Sequence, residues 1–133
     1  MKLWIKQSAA FYLSALAFSA LVIFIFILTM GVVYGAEVGI ASFYGNGEPL
    51  NKYTASGEVF NPDDLTAASW YYDFGTMLKV TNLKNGKYVI IRVNDRGPNK
   101  RLNRAIDLSR AAFKQIAELR EGLCEVKVEV ICE

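Results

Sequence analysis

Two carboxylates in this chain have the setting that acid–base chemistry needs. Asp95 follows an apolar stretch, Tyr88–Asn94, and Asp107 comes twelve residues later, held between Ile106 and Leu108. Arg96, Lys100, Arg101 and Arg104 lie between them. Acids at the ends of apolar segments with cations nearby are the ingredients of a polar active site. The chain has no His, which removes His-based triads, His general bases and His-ligated metals. Its two Cys are not at zinc spacing, so neither metal nor cofactor is expected and any chemistry falls to carboxylates, hydroxyls and Arg. Asp95 is the first choice for a proton donor, because partial desolvation beyond an apolar strand favours a protonated acid. It can equally cap the turn Arg96-Gly97-Pro98. Asp107 either orients Asp95 or contacts substrate, or it binds backbone at the start of a helix.

The elements that must position these acids are mostly short strands. Val38–Tyr44, Leu65–Tyr71, Met77–Thr81, Tyr88–Asn94, Ala105–Leu108 and Leu123–Ile131 read as strands. Asn85-Gly86 suits a hairpin turn. Ser109 caps a predicted helix over Arg110–Leu119 that carries Ala112, Phe113, Ile116 and Leu119 on one face, and Gly122 stops it. Evenly spaced short strands with a single short helix predict an all-β fold, a small closed or nearly closed barrel. Cys124 and Cys132 lie on one predicted strand, roughly 26 Å apart at ~3.3 Å per residue. Disulfide geometry needs Cα atoms within about 7 Å, so two unpaired thiols are expected.

Ahead of the barrel, Lys2 and Lys6 precede a nearly uncharged run from Ala9 to Ala36. Residues 1–36 read as a secretory signal or an N-terminal membrane anchor, and 37–133 as one exported domain. No Cys stands in or just after the apolar run, so a lipoprotein is not expected. All 13 acids and 13 of the 15 Lys and Arg fall after residue 36, so the exported part is neutral and nothing calls for nucleic acid.

The segments Gly39–Gly45, Thr54–Glu58, Leu65–Ala68, Phe74–Thr76, Val80–Leu83, Asn85-Gly86, Arg92–Pro98 and Ile106–Ala112 follow one another in the order seen in the rare lipoprotein A family. The resemblance covers nearly all of residues 38–131. It implies a six-stranded double-psi β-barrel in an exported bacterial protein that acts on peptidoglycan glycan strands. Family enzymes are endolytic transglycosylases that prefer strands without stem peptides and leave 1,6-anhydro-muramyl ends. The barrel also resembles that of expansins, which implies the alternative of a non-catalytic polysaccharide-binding module. Asp95 and Asp107 are joined as candidate catalytic groups by Glu58, in the family's Thr-x-x-Gly-Glu position. Where the family often carries His after Leu-Thr-Ala-Ala, this chain has Ser69, which hydrogen-bonds but does not change charge near neutral pH. Some relatives extend into a glycan-binding repeat domain, and this chain stops at Glu133.

A sugar ligand needs flat apolar faces and polar contacts. Tyr44 and the run Ser69-Trp70-Tyr71-Tyr72 supply both. Strand alternation would let at most two of the three aromatics share a groove. Arg96, or Arg101 and Arg104, could meet the lactyl carboxylate of muramic acid. The expected partners are glycan strands, and the inner membrane if the leader stays in place, with the domain a monomer in the periplasm or wall space.

Overall fold

The computed structural model describes residues 12–19 and 35–132. Residues 12–19 form a helical stretch by themselves, in which Ser19 Oγ donates to Leu16 O. The rest of the leader expectation lies outside the described residues. Among the described residues no helix is long and apolar enough to cross a membrane.

Six strands make a closed barrel: β1 (Glu37–Tyr44), β2 (Thr66–Ala68), β3 (Met77–Asn82), β4 (Tyr88–Asp95), β5 (Ile106–Ser109) and β6 (Cys124–Cys132). They run β1-β5-β2-β4-β3-β6 around the barrel, and β6 pairs back onto β1. The pairs β1/β5 and β2/β4 are parallel and the remaining four antiparallel. Parallel neighbours cannot be joined by a tight hairpin. The 45–65 segment joins β1 to β2, which flank β5, and the 96–105 segment joins β4 to β5, which flank β2.

The core follows the period-2 alternation of the strands. Leu78 and Val80, Val89, Ile91 and Val93, Ile106 and Leu108, and Val126 and Val128 point inward and are almost fully buried. Helix α1 (Arg110–Ile116) adds Ala112, Phe113 and Ile116 to that cluster. The Phe113 ring sits 4.8 Å from Phe43. Ser109 caps the helix as expected, its Oγ accepting from Ala112 N. The β3–β4 hairpin turns at Gly86, whose φ of 73° suits a residue without a Cβ.

Two predicted elements are shorter than their sequence pattern. The helix ends at Ile116 rather than Leu119, because Ala117 is extended. The Ile116 carbonyl is taken instead by the side-chain amides of Asn82 and Asn85, so side chains replace the next helical turn. A separate 3₁₀ turn, Leu119–Glu121, follows and ends at Gly122. The strand predicted over Leu65–Tyr71 is only Thr66–Ala68. Ser69 Oγ accepts from Tyr71 N and folds the chain into a local turn. Strand alternation therefore does not govern Trp70, Tyr71 and Tyr72. Cys124 and Cys132 lie on the single strand β6 as expected, and Cys124 is a free, buried thiol. Burial and the nearby Glu121 push that thiol up to about 11.

Candidate active site

Strand register places Asp95 and Asp107 in one row. Ser42 of β1 pairs with Asp107 of β5, Asp107 with Ala68 of β2, and Ala68 with Asp95 of β4. The two acids thus flank Ala68, two strand spacings apart, or about 9–10 Å between backbones. A bulge between Ala67 and Ala68 sets the last pairing. Gly97 packs over the row: a Cβ there would come 3.3 Å from the Ala68 Cβ and 3.8 Å from Asp107 Oδ2. Any side chain at 97 would crowd the space between the acids.

Asp95 is held by backbone. Its Oδ1 accepts from Ala55 N at 2.9 Å and Arg96 N at 2.8 Å, and its carbonyl accepts from Ser69 N at 3.1 Å. Both side-chain bonds land on Oδ1, which leaves Oδ2 for a proton or a substrate. The acid lines a cavity of about 440 Å³ with Tyr44, Leu50, Asn51, Tyr53, Thr54, Ala55, Phe60 and Arg96. Tyr44 stacks on Phe60 at 4.7 Å. Its buried hydroxyl has no hydrogen-bond partner. Asp95 lies close enough to act on it electrostatically but outside hydrogen-bond geometry. Burial, then the charges of Asp95 and Asp107, raise the phenol pKa, so Tyr44 keeps its proton and can donate it to a sugar hydroxyl.

Asp107 is half-buried. Ser42 Oγ donates to its Oδ1, and Arg104 Nη1 lies 2.8 Å from Ser42 Oγ and 3.8 Å from Asp107 Oδ1. Burial raises the Asp107 pKa, with Ser42 and Arg104 opposing it. Ser42 was absent from the sequence-derived candidates, although it sits inside the Gly39–Gly45 block. Only the β1/β5 register sets it opposite Asp107. Tyr53, Ala55 and Gly97 were likewise missed, since backbone donors and close approaches leave no residue-type signal.

Other predicted residues are distributed around this centre. Glu58 is paired with Arg92, at 2.6 and 2.9 Å to its two oxygens, and with Asn94 Nδ2 at 3.1 Å. These partners hold its carboxyl at about 2. Ser69 is fully buried and shapes the turn beside Asp95. The Arg96 guanidinium donates to the carbonyls of Ser69 and Tyr72 and lies 3.7 Å from the Phe74 ring centre. It braces the 69–74 loop, and its charge is thereby partly spent on the protein itself. Trp70 is 46% exposed, with Nε1 on Pro98 O at 2.6 Å and Lys100 over its ring. Tyr71 is exposed on the same loop. Tyr72 instead packs against the core and donates to Glu37 Oε2 at 3.2 Å. Burial and Glu37 push its phenol up to about 12. Trp70 and Tyr71 are therefore the aromatics open to a ligand, and Tyr72 is a brace.

A closed barrel of two parallel and four antiparallel pairings, with paired acids at its rim, is a double-psi β-barrel, and the comparisons place it. The lytic transglycolase family model matches residues 36–128, and the chain belongs to that family. It is 50% identical over 93 residues to the endolytic peptidoglycan transglycosylase RlpA of Campylobacter jejuni, covering 70% of this chain and 33% of that protein. It is 47% identical over 94 residues to the probable endolytic peptidoglycan transglycosylase RlpA of Nostoc sp., covering 70% and 25%. The chain thus spans about a quarter to a third of the length of these relatives. Among solved structures, Streptomyces papain inhibitor aligns with a TM-score of 0.61 at 21% identity, over 75% of this chain and 97% of that one. An expansin of Clavibacter michiganensis in complex with cellohexaose aligns at 0.57 and 22%, over 73% and 50%. At these identities the two structures share the fold alone.

Proposed function

We propose that the barrel is a peptidoglycan lytic transglycosylase domain with Asp95 as its acid and base. The observation that carries this reading is the Asp95 carboxylate, fixed through one oxygen by two amides and lining a cavity with Tyr44. In the reaction, protonated Asp95 gives its proton to the glycosidic oxygen as the bond from C1 breaks. The carboxylate then takes the proton from the muramyl 6-hydroxyl as that oxygen bonds to C1. The product is a 1,6-anhydro ring, no water enters, and one carboxyl suffices. Tyr44 donates to a ring substituent, and Asp107 with Ser42 and Arg104 contacts the neighbouring sugar. Trp70 and Tyr71 offer apolar faces to the strand. The names of the relatives support peptidoglycan as the substrate. Glycan strands without stem peptides are the preferred form in this reading, and the wall space outside the cytoplasmic membrane is where the domain meets them.

The test is to incubate the protein with purified sacculi and with denuded glycan strands, and to look for 1,6-anhydro ends by mass spectrometry. Asp95→Asn is expected to lower turnover by about 10²- to 10⁴-fold. Absence of anhydro ends from the native protein, or an Asp95→Asn variant as active as native, defeats the reading. The exposed Tyr53, Trp70 and Tyr71 favour a second, expansin-like reading as a polysaccharide-binding module. Retention on sacculi without product release would select it.

A further inference from the structure

We propose that Glu58 is a positioning residue: through Arg92 and Asn94 it holds the Thr54–Gly57 turn astride the end of β4, so that the Ala55 amide stays on the Asp95 carboxylate. The inference deepens the reading above and rests on Asp95 being the reacting acid.

Glu58 and Asp95 have different partners at the end of β4. Glu58 holds Arg92 with both oxygens and Asn94 with one. Asp95, paired with Ala68 just past the bulge at Asn94, takes the Ala55 amide. Three charge-assisted hydrogen bonds occupy Glu58, and at neutral pH it has no proton to give.

The turn itself reaches both sets of partners. Thr54 N donates to Glu58 O at 2.8 Å and Gly57 N to Thr54 O at 2.9 Å, closing the loop on itself. Ser56 N donates to Asn94 O at 3.2 Å, fastening the loop to the strand end. Ala55 N then reaches Asp95 Oδ1 at 2.9 Å. Gly57 adopts a φ of +91° with open space around it, the conformation that lets so tight a turn form. Besides the Glu58 clamp, the hydrogen bonds that tie the turn to the end of β4 are Ser56 N to Asn94 O and Ala55 N to Asp95 Oδ1. The other donor on Asp95 Oδ1 is Arg96 N, which does not depend on the turn.

The clamp lies on the surface, with Arg92 and Glu58 side chains 40% and 43% exposed, so variants there are expected to fold, with melting temperature as the control. The test uses Arg92→Ala, Glu58→Ala and Glu58→Gln in the full chain. Two readouts are followed: kcat and KM on glycan strands, and the Ala55 amide by ¹⁵N NMR across a pH titration. Arg92→Ala and Glu58→Ala are each expected to lower kcat about 10- to 100-fold with KM little changed, because the reacting acid is misplaced. The double variant should be no worse than either single one. Glu58→Gln, which keeps one acceptor for Arg92, should recover part of the rate. In both alanine variants the Ala55 amide should cease to follow the ionisation of Asp95.

The opposite pattern overturns the proposal. Glu58→Gln as inactive as Asp95→Asn, with Arg92→Ala turning over normally, would make Glu58 a proton-transfer group. An Ala55 amide that still follows Asp95 in Arg92→Ala would show that the clamp does not set the contact. If the native protein forms no anhydro ends, the transglycosylase reading fails. The amide titration, which needs no activity, still decides whether the clamp holds Ala55 on Asp95.

Discussion

The helix-bearing side of the barrel and its carboxylate rim treat polar groups in opposite ways. Under α1, Asn82 and Asn85 both place their amides on Ile116 O, and Ser109 Oγ serves Ala112 N and Asp64 O together. Near the acids, the Tyr44 hydroxyl and Asn94 Oδ1 are buried with no hydrogen-bond partner. The other two such atoms among the described residues lie away from the acids, Thr66 Oγ1 on β2 at the level of Ser109 and Thr81 Oγ1 on β3. A buried polar atom without a partner costs stability. The first region satisfies its polar groups within the chain, and the second leaves two of them open. Stability and activity should therefore come apart when each is altered.

The largest stability effect should come from the first region. Phe113→Ala removes a fully buried ring that packs on Phe43 and is expected to cost about 3–5 kcal/mol. Urea unfolding measures it, and the chemistry per folded molecule should survive at temperatures where the variant is still native. A comparable loss of stability from Asp95→Asn would erase the distinction between the regions.

Asp107 tests the rim. Asp107→Ala leaves the Ser42 hydroxyl without its acceptor and Arg104 without its ion-pair partner, and should cost about 1–3 kcal/mol. Asp107→Asn keeps an oxygen for Ser42 and removes a charge that burial disfavours. The native pKa is raised above its ordinary value of 3.8, so protonation stabilises the fold below that value and the benefit is lost as pH rises through the native pKa. The Asn variant should thus melt no lower than the parent at pH 7, and its advantage should vanish in acid. Thermal melts at a series of pH values check this.

Tyr44→Phe sharpens the comparison further. Deleting a buried hydroxyl without a partner should leave stability equal or raise it by up to about 1 kcal/mol, while turnover falls. If the variant is clearly destabilised, the hydroxyl is structural and the rim is less different from the helix side.

The smallest effect belongs to Glu58. Its pKa is lowered from 4.5 to about 2 by Arg92 and Asn94. The pair therefore stabilises the fold above about pH 4.5, and that contribution fades as pH falls through the native value. Being exposed, it should amount to about 0.2–1 kcal/mol. Glu58→Gln should flatten this part of the stability curve and leave the rest unchanged.

Period-2 apolar alternation in Met77–Thr81, Tyr88–Asn94 and Leu123–Ile131 made three strands and their inward residues legible, because alternation is a local property of a pleated chain. Ser109 as a helix cap and Asn85-Gly86 as a turn were legible for the same reason. The helix end and the strand after Leu65 were not. The first was decided by side chains from elsewhere, Asn82 and Asn85 at Ile116, and the second by the turn that Ser69 Oγ makes with Tyr71 N, braced by Arg96 on the Ser69 carbonyl. Asp95 and Asp107 were visible as acids at strand ends, and the family resemblance added Glu58, Ser69 and the aromatics.

By itself, then, the sequence determined the residue inventory, the strand pattern and the absence of His, and with them a small barrel carrying a carboxylate-based candidate site. Only the tertiary structure decided which groups meet. Parallel pairing of β1 with β5 and of β2 with β4 sets Ser42, Asp107, Ala68 and Asp95 in one row. Glu58 pairs with Arg92 and Asn94 instead of joining that row. Register between distant strands is settled by closure of the barrel and burial of its core, and no local spacing of residues encodes it.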